Sequence, residues 1–175
     1  MATGLRPAPR LPAMDIDLDP PHGITGFPLG MPAAALKEAA ARLGRVKVSD
    51  EGSAARFKSM KVLALHPQFE IVFHLEDGMT LGAAEVWIPR PGPERITVRF
   101  RGIDVFRTPA RQFVQLLADL DLPLVHDEPG YWLVPKLSLG LTRVAGHEVE
   151  LDTDDEPLYF QAVLTGSTGY YDALS

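Results

Sequence analysis

The stretch FEIVFHLEDGMTLGAAEVWI, residues 69–88, decides the fold. Phe69, Ile71, Phe73 and Leu75 share one side of an extended chain, while Glu70, Val72, His74 and Glu76 share the other, because successive strand side chains point to opposite faces. Asp77-Gly78 follows as a strong short-range signal for a reversal, since both residue types accept the backbone angles of a hairpin turn. The chain then returns as a second strand from about Met79 to Ile88. An antiparallel sheet with one apolar face needs a cover, and the remaining sequence supplies two helices for it.

Working outward, Pro89, Pro91, Gly92 and Pro93 make a rigid turn, and Ile96, Val98 and Phe100 alternate with Thr97, Arg99 and Arg101. That alternation reads as a half-exposed antiparallel strand with a basic outer face. Upstream, Val62 to Leu65 follows a polar stretch, and GITGFPLGMPAAALKEAAARLG, residues 23–44, carries the first helix. Pro32 suits a first helical position, Leu36, Ala39, Ala40 and Leu43 form an apolar stripe, and Gly44 ends it. Ile16 and Leu18, alternating with aspartates before Pro20-Pro21, give a short edge strand. A second helix opens with Thr108 as N-cap and Pro109 in the first turn, with Phe113, Leu116, Leu117 and Leu120 as its stripe. Residues 130–134, 137–142, 147–151 and 158–164 read as four further short strands. His126, Asp127 and Glu128 read as a polar loop closed by Pro129-Gly130.

The two helix starts resemble each other. Positions 32, 33, 36, 39, 40 and 43 match 109, 110, 113, 116, 117 and 120 at a fixed offset of 77. The expected fold is therefore α+β: a tandem-duplicated unit of helix plus antiparallel strands, with both helices on one face of a shared sheet and the other face open. The units run over 14–101 and 102–175, after a loose tail of residues 1–13 whose prolines break any secretory apolar stretch. Met14, which opens the first patterned segment, is a candidate alternative start of translation beside Met1. A cytoplasmic location is the default expectation.

Composition restricts the chemistry. The 175 residues carry 17 basic and 23 acidic groups, a formal net charge of -6, which argues against nucleic acid as a partner. Cysteine is absent, which excludes disulfides, thiol catalysis and thiolate metal ligands. No apolar run reaches the roughly 18 residues of a membrane span. The charge is unevenly spread: from Arg143 onward there is one base against seven acids, and everything before it is formally neutral.

No motif for catalysis, nucleotide binding or metal binding is present, so no cofactor and no metal are expected. No serine lies in a nucleophile elbow, and no two of the five histidines have the spacing of a helical metal motif. Two candidate surfaces remain. The first is an interface of the acidic residues Glu148, Glu150, Asp152, Asp154, Asp155 and Glu156 with the aromatic residues Trp87, Tyr131, Trp132, Tyr159, Tyr170 and Tyr171. Acidic edges attract basic partners, and Trp and Tyr are favoured interface anchors. Glu148, Glu150 and Asp152 alternate, which places all three on one side of a strand. The second is an acid-base patch of Glu70, His74 and Glu85 on the outer face of the hairpin.

The motifs GITGFPLGMPAAALKEAAARLG, RGIDVFRTPARQFVQLLADL and YFQAVLTGSTGYYD resemble those of small actinobacterial proteins of unknown function, over most of residues 15–172. The layout, a repeated helix-plus-strand unit of about 77 residues with an open aromatic sheet face, is similar to that of the beta-lactamase inhibitory protein family. That family is secreted and disulfide-bonded, whereas this chain has no cysteine. The resemblance is one of layout; the missing catalytic motif, the acidic carboxyl half and the strand-borne aromatics point to a non-enzymatic protein-binding module, of the inhibitor or immunity type, with a basic protein as partner. The alternatives are a small hydrolase or ligand-binding protein built on His74 and nearby carboxylates, and a self-associating structural protein that forms homo-oligomers through open sheet edges.

Overall fold

A computed structural model describes residues 13–51, 59–88, 96–144 and 149–172. The first half runs β1 (Met14–Asp19), β2 (Gly23–Ile24), β3 (Phe27–Pro28), α1 (Ala33–Ala40), β4 (Arg45–Glu51), β5 (Ser59–His66), β6 (Phe69–Leu75) and β7 (Ala83–Trp87). The second runs β8 (Ile96–Phe100), β9 (Ile103–Asp104), α2 (Ala110–Asp119), β10 (Val125–Glu128), β11 (Tyr131–Val134), a 3-10 turn (Pro135–Leu137), β12 (Leu139–Thr142) and β13 (Ala162–Gly166). The fold is α+β with antiparallel-rich sheets.

The strands form two sheets rather than the one shared sheet expected. The larger has eight strands in the order β10-β11-β12-β13-β7-β6-β5-β4, and the smaller has five in the order β3-β2-β1-β8-β9. β13 lies between β12 and β7, so the last strand joins the two meanders. One hydrophobic cluster draws on both sheets and both helices, with Ile71, Phe73 and Val86 from the large sheet, Ile16 and Val98 from the small one, Leu36 from α1 and Phe113 from α2.

β1 is not an edge strand. It pairs antiparallel with β2 and parallel with β8, with Ile16 opposite Val98 and Leu18 opposite Phe100. A strand with one buried row satisfies the alternation whether or not its second side is also paired, so the sequence pattern does not separate the two cases.

The hairpin of β6 and β7 matches the alternation over residues 69–75, but the return begins at Ala83. Residues 79–81 are taken by the approach to α1: Leu81 N–H donates to Met31 O at 2.9 Å, and Gly30 N–H donates to Leu81 O at 2.7 Å. Asp77 holds the turn. Its Oδ1 accepts the Met79 and Thr80 N–H groups at 2.8 Å each, and its Oδ2 accepts the Thr80 hydroxyl at 2.7 Å. These bonds, led by the Thr80 and Met79 backbone amides, lower the Asp77 pKa from its ordinary value.

Both helices start one residue later than expected, with Pro32 and Pro109 in extended conformation just before them and no side-chain cap. Thr108 is therefore not the cap. Asp104 orders the approach to α2 instead, its Oδ1 accepting the Phe106 and Arg107 N–H groups. Ala110, Phe113 and Leu117 form the buried stripe of α2, whereas Leu120 lies beyond the helix and is exposed.

Three strand expectations change. β10 occupies the stretch expected as a polar loop; all four of its residues are exposed, so it has no hydrophobic alternation to reveal it. Residues 149–151 form no strand and make only an isolated bridge between Leu151 and Pro157. Glu148, the 1–12 tail and the proline turn of 89–93 lie outside the described residues. β13 starts at Ala162 rather than Leu158.

Candidate functional site

The acidic run folds into a loop around Asp152. Asp152 Oδ1 accepts the Asp154 and Glu156 N–H groups at 2.9 and 3.2 Å, and its Oδ2 accepts Arg111 Nε at 2.9 Å and Arg143 Nη2 at 2.8 Å. The Asp154 backbone bond is the largest of the effects that bring the Asp152 pKa down to about 2, with the Glu156 amide and the two arginines adding to it. Arg143 also donates to Glu156 at 2.6 Å and to Pro157 O at 2.5 Å, and Arg111 pairs with Asp154. The pairs with Asp154 and then Asp152 raise the Arg111 pKa. The loop is tied to α2 because Ala110 N–H donates to Leu158 O at 2.7 Å.

This arrangement sorts the acidic candidates. Asp152 is committed to the loop's own structure. Asp154 and Glu156 are exposed but ion-paired at one side, and Glu150 and Asp155 are exposed. Arg143, the lone base of the acidic run, is the residue that sequence reasoning missed; a single arginine among so many carboxylates was the signal available.

Beside the loop lies a groove of about 290 Å³, lined by His126 and Trp132 of the β10–β11 pair, by Arg143 and Val144, and by Asp155, Glu156 and Pro157 of the loop. His126 and Trp132 stand opposite each other in the β10–β11 pair, with ring centroids 4.8 Å apart in an edge-on arrangement. The structure thus brings Trp132, Asp155 and Glu156 together. Tyr131 is exposed on the next position of β11, and Tyr159 is half-buried on the segment leading to β13.

The other aromatic candidates lie elsewhere, on the outer face of the large sheet. Tyr170 and Tyr171 fold back across it, and two glycines make room for them. A Cβ on Gly140 would come within 1.9 Å of the Tyr171 hydroxyl, and one on Gly166 within 2.6 Å of Tyr170 Cγ. Burial, followed by the charge of the nearby Glu76 carboxylate, raises the Tyr170 pKa. Burial, followed by Glu85 and Asp127, raises that of Tyr171. Trp87 is half-buried between Glu70 and Ala162 on the neighbouring strands.

On the same face His74 Nε2 lies 3.4 Å from Glu85 Oε2, with the side chains 16% and 17% exposed. The register explains the pair, since Glu85 stands opposite Val72, diagonal to both His74 and Glu70. Its carboxylate reaches His74, and the Glu70 carboxylate has no hydrogen bond or ion pair among the described residues. Among the described residues no group of three or more His, Cys, Asp or Glu is arranged to hold a metal ion, and no helix is long and apolar enough to cross a membrane.

The chain matches no family model, and comparison with curated proteins and with solved structures gives no match either.

Proposed function

We propose that the chain is a non-enzymatic module that binds a basic protein, in the manner of an inhibitor or immunity factor, at the groove between β11 and the acidic loop. The carrying observation is that one depression combines an aromatic wall, His126 and Trp132, with the exposed carboxylates Asp155 and Glu156. A lysine or arginine entering it would meet an indole face and two carboxylates at once, a pairing that suits cations. Arg143 does not oppose this, because its charge is already met by Asp152 and Glu156. The element order also supports the reading: a strand, a helix and a four-stranded meander occur in both halves, with two short strands before the first helix and one before the second; we read that order as a tandem duplication.

The test is affinity capture from the native cell, followed by titration of the purified partner. Trp132→Ala and Asp155→Lys are each expected to weaken binding about ten-fold or more. A partner that binds both variants as tightly as the wild-type chain defeats the proposal.

A second reading, a small hydrolase or ligand-binding protein, is favoured by the His74–Glu85 pair beneath the two tyrosines. A histidine oriented by a carboxylate is the usual arrangement of a general base. It predicts that a small ligand raises the melting temperature of the wild-type chain and not that of His74→Gln.

A further inference from the structure

Among the described residues no strand pairs with the outer side of β4 or of β10, and the basic start of β4, whose far end carries Asp50 and Glu51, contrasts with the acidic β10. β4 begins with Arg45 and Lys47, both exposed, and β10 carries Asp127 and Glu128, both exposed. None of these four charges forms an ion pair among the described residues. Each edge also leaves a valine uncovered, Val48 at 43% and Val125 at 51% exposure. A bare edge presents a row of unpaired backbone N–H and C=O groups that accept another strand. Two β10 edges placed together would set Asp127 and Glu128 against their own copies, whereas the start of β4 offers them arginine and lysine.

We infer that the β4 edge of one copy of this chain adds to the β10 edge of a second copy, continuing the large sheet from molecule to molecule. In the large sheet Lys47 shares a face with Leu63, Val72 and Glu85, and Glu128, which stands opposite Tyr131 beyond a bulge at Asp127, shares it with Val125 and Leu133. An antiparallel contact that sets Arg45 or Lys47 beside Glu128 therefore keeps that face continuous, with Asp127 at the bulge alongside. The contact is head-to-tail, so an assembly of any length keeps one unpaired β4 edge and one unpaired β10 edge at its ends and is open-ended. Four residues of β10 bury far less than the roughly 1,200 Å² of a standard stable interface, so association is weak and depends on concentration.

Sedimentation velocity of the full chain from about 10 μM to about 1 mM tests this. The mean mass of the wild-type chain rises with concentration, and the association weakens about ten-fold or more when salt is raised from about 50 to about 500 mM. The edge variants Arg45→Glu with Lys47→Glu, and Asp127→Lys with Glu128→Lys, each remain monomeric alone. An equimolar mixture of the two assembles again, because every edge then finds its opposite; this also shows that both variants are folded. A wild-type chain that stays monomeric overturns the inference. So does assembly that survives the Asp127→Lys, Glu128→Lys change, as a β4-to-β4 pair would, and so does a mixture that fails to associate.

Discussion

Arg143 places Nη2 2.8 Å from the Asp152 carboxylate, and only 7% and 9% of the two side chains remain exposed. A charge so enclosed is tolerable only while its partner is present. Arg143 also donates to Glu156 and Pro157, so it holds both ends of the acidic loop. Arg143→Met is therefore expected to lower the melting temperature by on the order of 5 °C. It should also collapse the groove beside Trp132, which a thermal melt and tryptophan fluorescence would show together.

Acid should loosen the same loop. The folded-state pKa of Asp152 is lowered from 3.8 to about 2. A lowered carboxyl contributes stability that is fully present above its unfolded value and is lost as pH falls through the folded one. The loss thus falls between about pH 4 and pH 2. Asp77, lowered by the amides of its turn, acts in the same direction. Urea unfolding of Asp152→Asn should show a deficit at neutral pH that shrinks towards pH 2; a deficit independent of pH would contradict the assignment.

Phe113 fixes α2 to the core, fully buried and edge-on to Phe160 at 5.8 Å between ring centroids. Phe113→Ala should cost about 3–5 kcal/mol in urea unfolding. Leu120→Ala, at the exposed position beyond the helix, should change stability by less than about 0.5 kcal/mol.

The outer-face tyrosines give a spectroscopic prediction. Their raised pKa values mean that ionisation opposes the folded state, so stability falls once pH rises above their ordinary value of 10. Gly140→Ala drives a methyl group into the Tyr171 hydroxyl and should cost about 1–3 kcal/mol. It should also let Tyr171 titrate nearer its ordinary range in an ultraviolet pH titration. Gly140→Ala combined with Tyr171→Ala should lose less than the two single changes added together.

The hairpin of β6 and β7 was legible because Phe69, Ile71, Phe73 and Leu75 are all buried while Glu70 and His74 are only half so. The pairing of His74 with Glu85 was legible too, since a two-residue period carries across a hairpin. β10 was hidden because an edge strand exposed on every residue leaves no apolar period. β4 was passed over as polar for a similar reason, with Arg45, Lys47 and Val48 all exposed. The split into two sheets was hidden because the parallel pairing of β1 with β8 is a contact between segments about eighty residues apart, which local patterns do not encode. The acidic residues read as a docking edge because their count was visible, whereas the return of Arg143 and the approach of Arg111 from α2 depend on the folded loop.

The position of β13 has a consequence for how the protein is made. Residues 162–166 fill the gap between β12 and β7, so the two meanders stay unjoined on the ribosome until this last strand has emerged. Until then β7 and β12 each offer an inner, largely apolar edge to any neighbouring nascent chain. A stop codon just before Ala162 would leave nearly all of the core residues in place and still leave the large sheet in two pieces. Late truncations of this chain should therefore behave as aggregating species rather than as slightly shortened native protein.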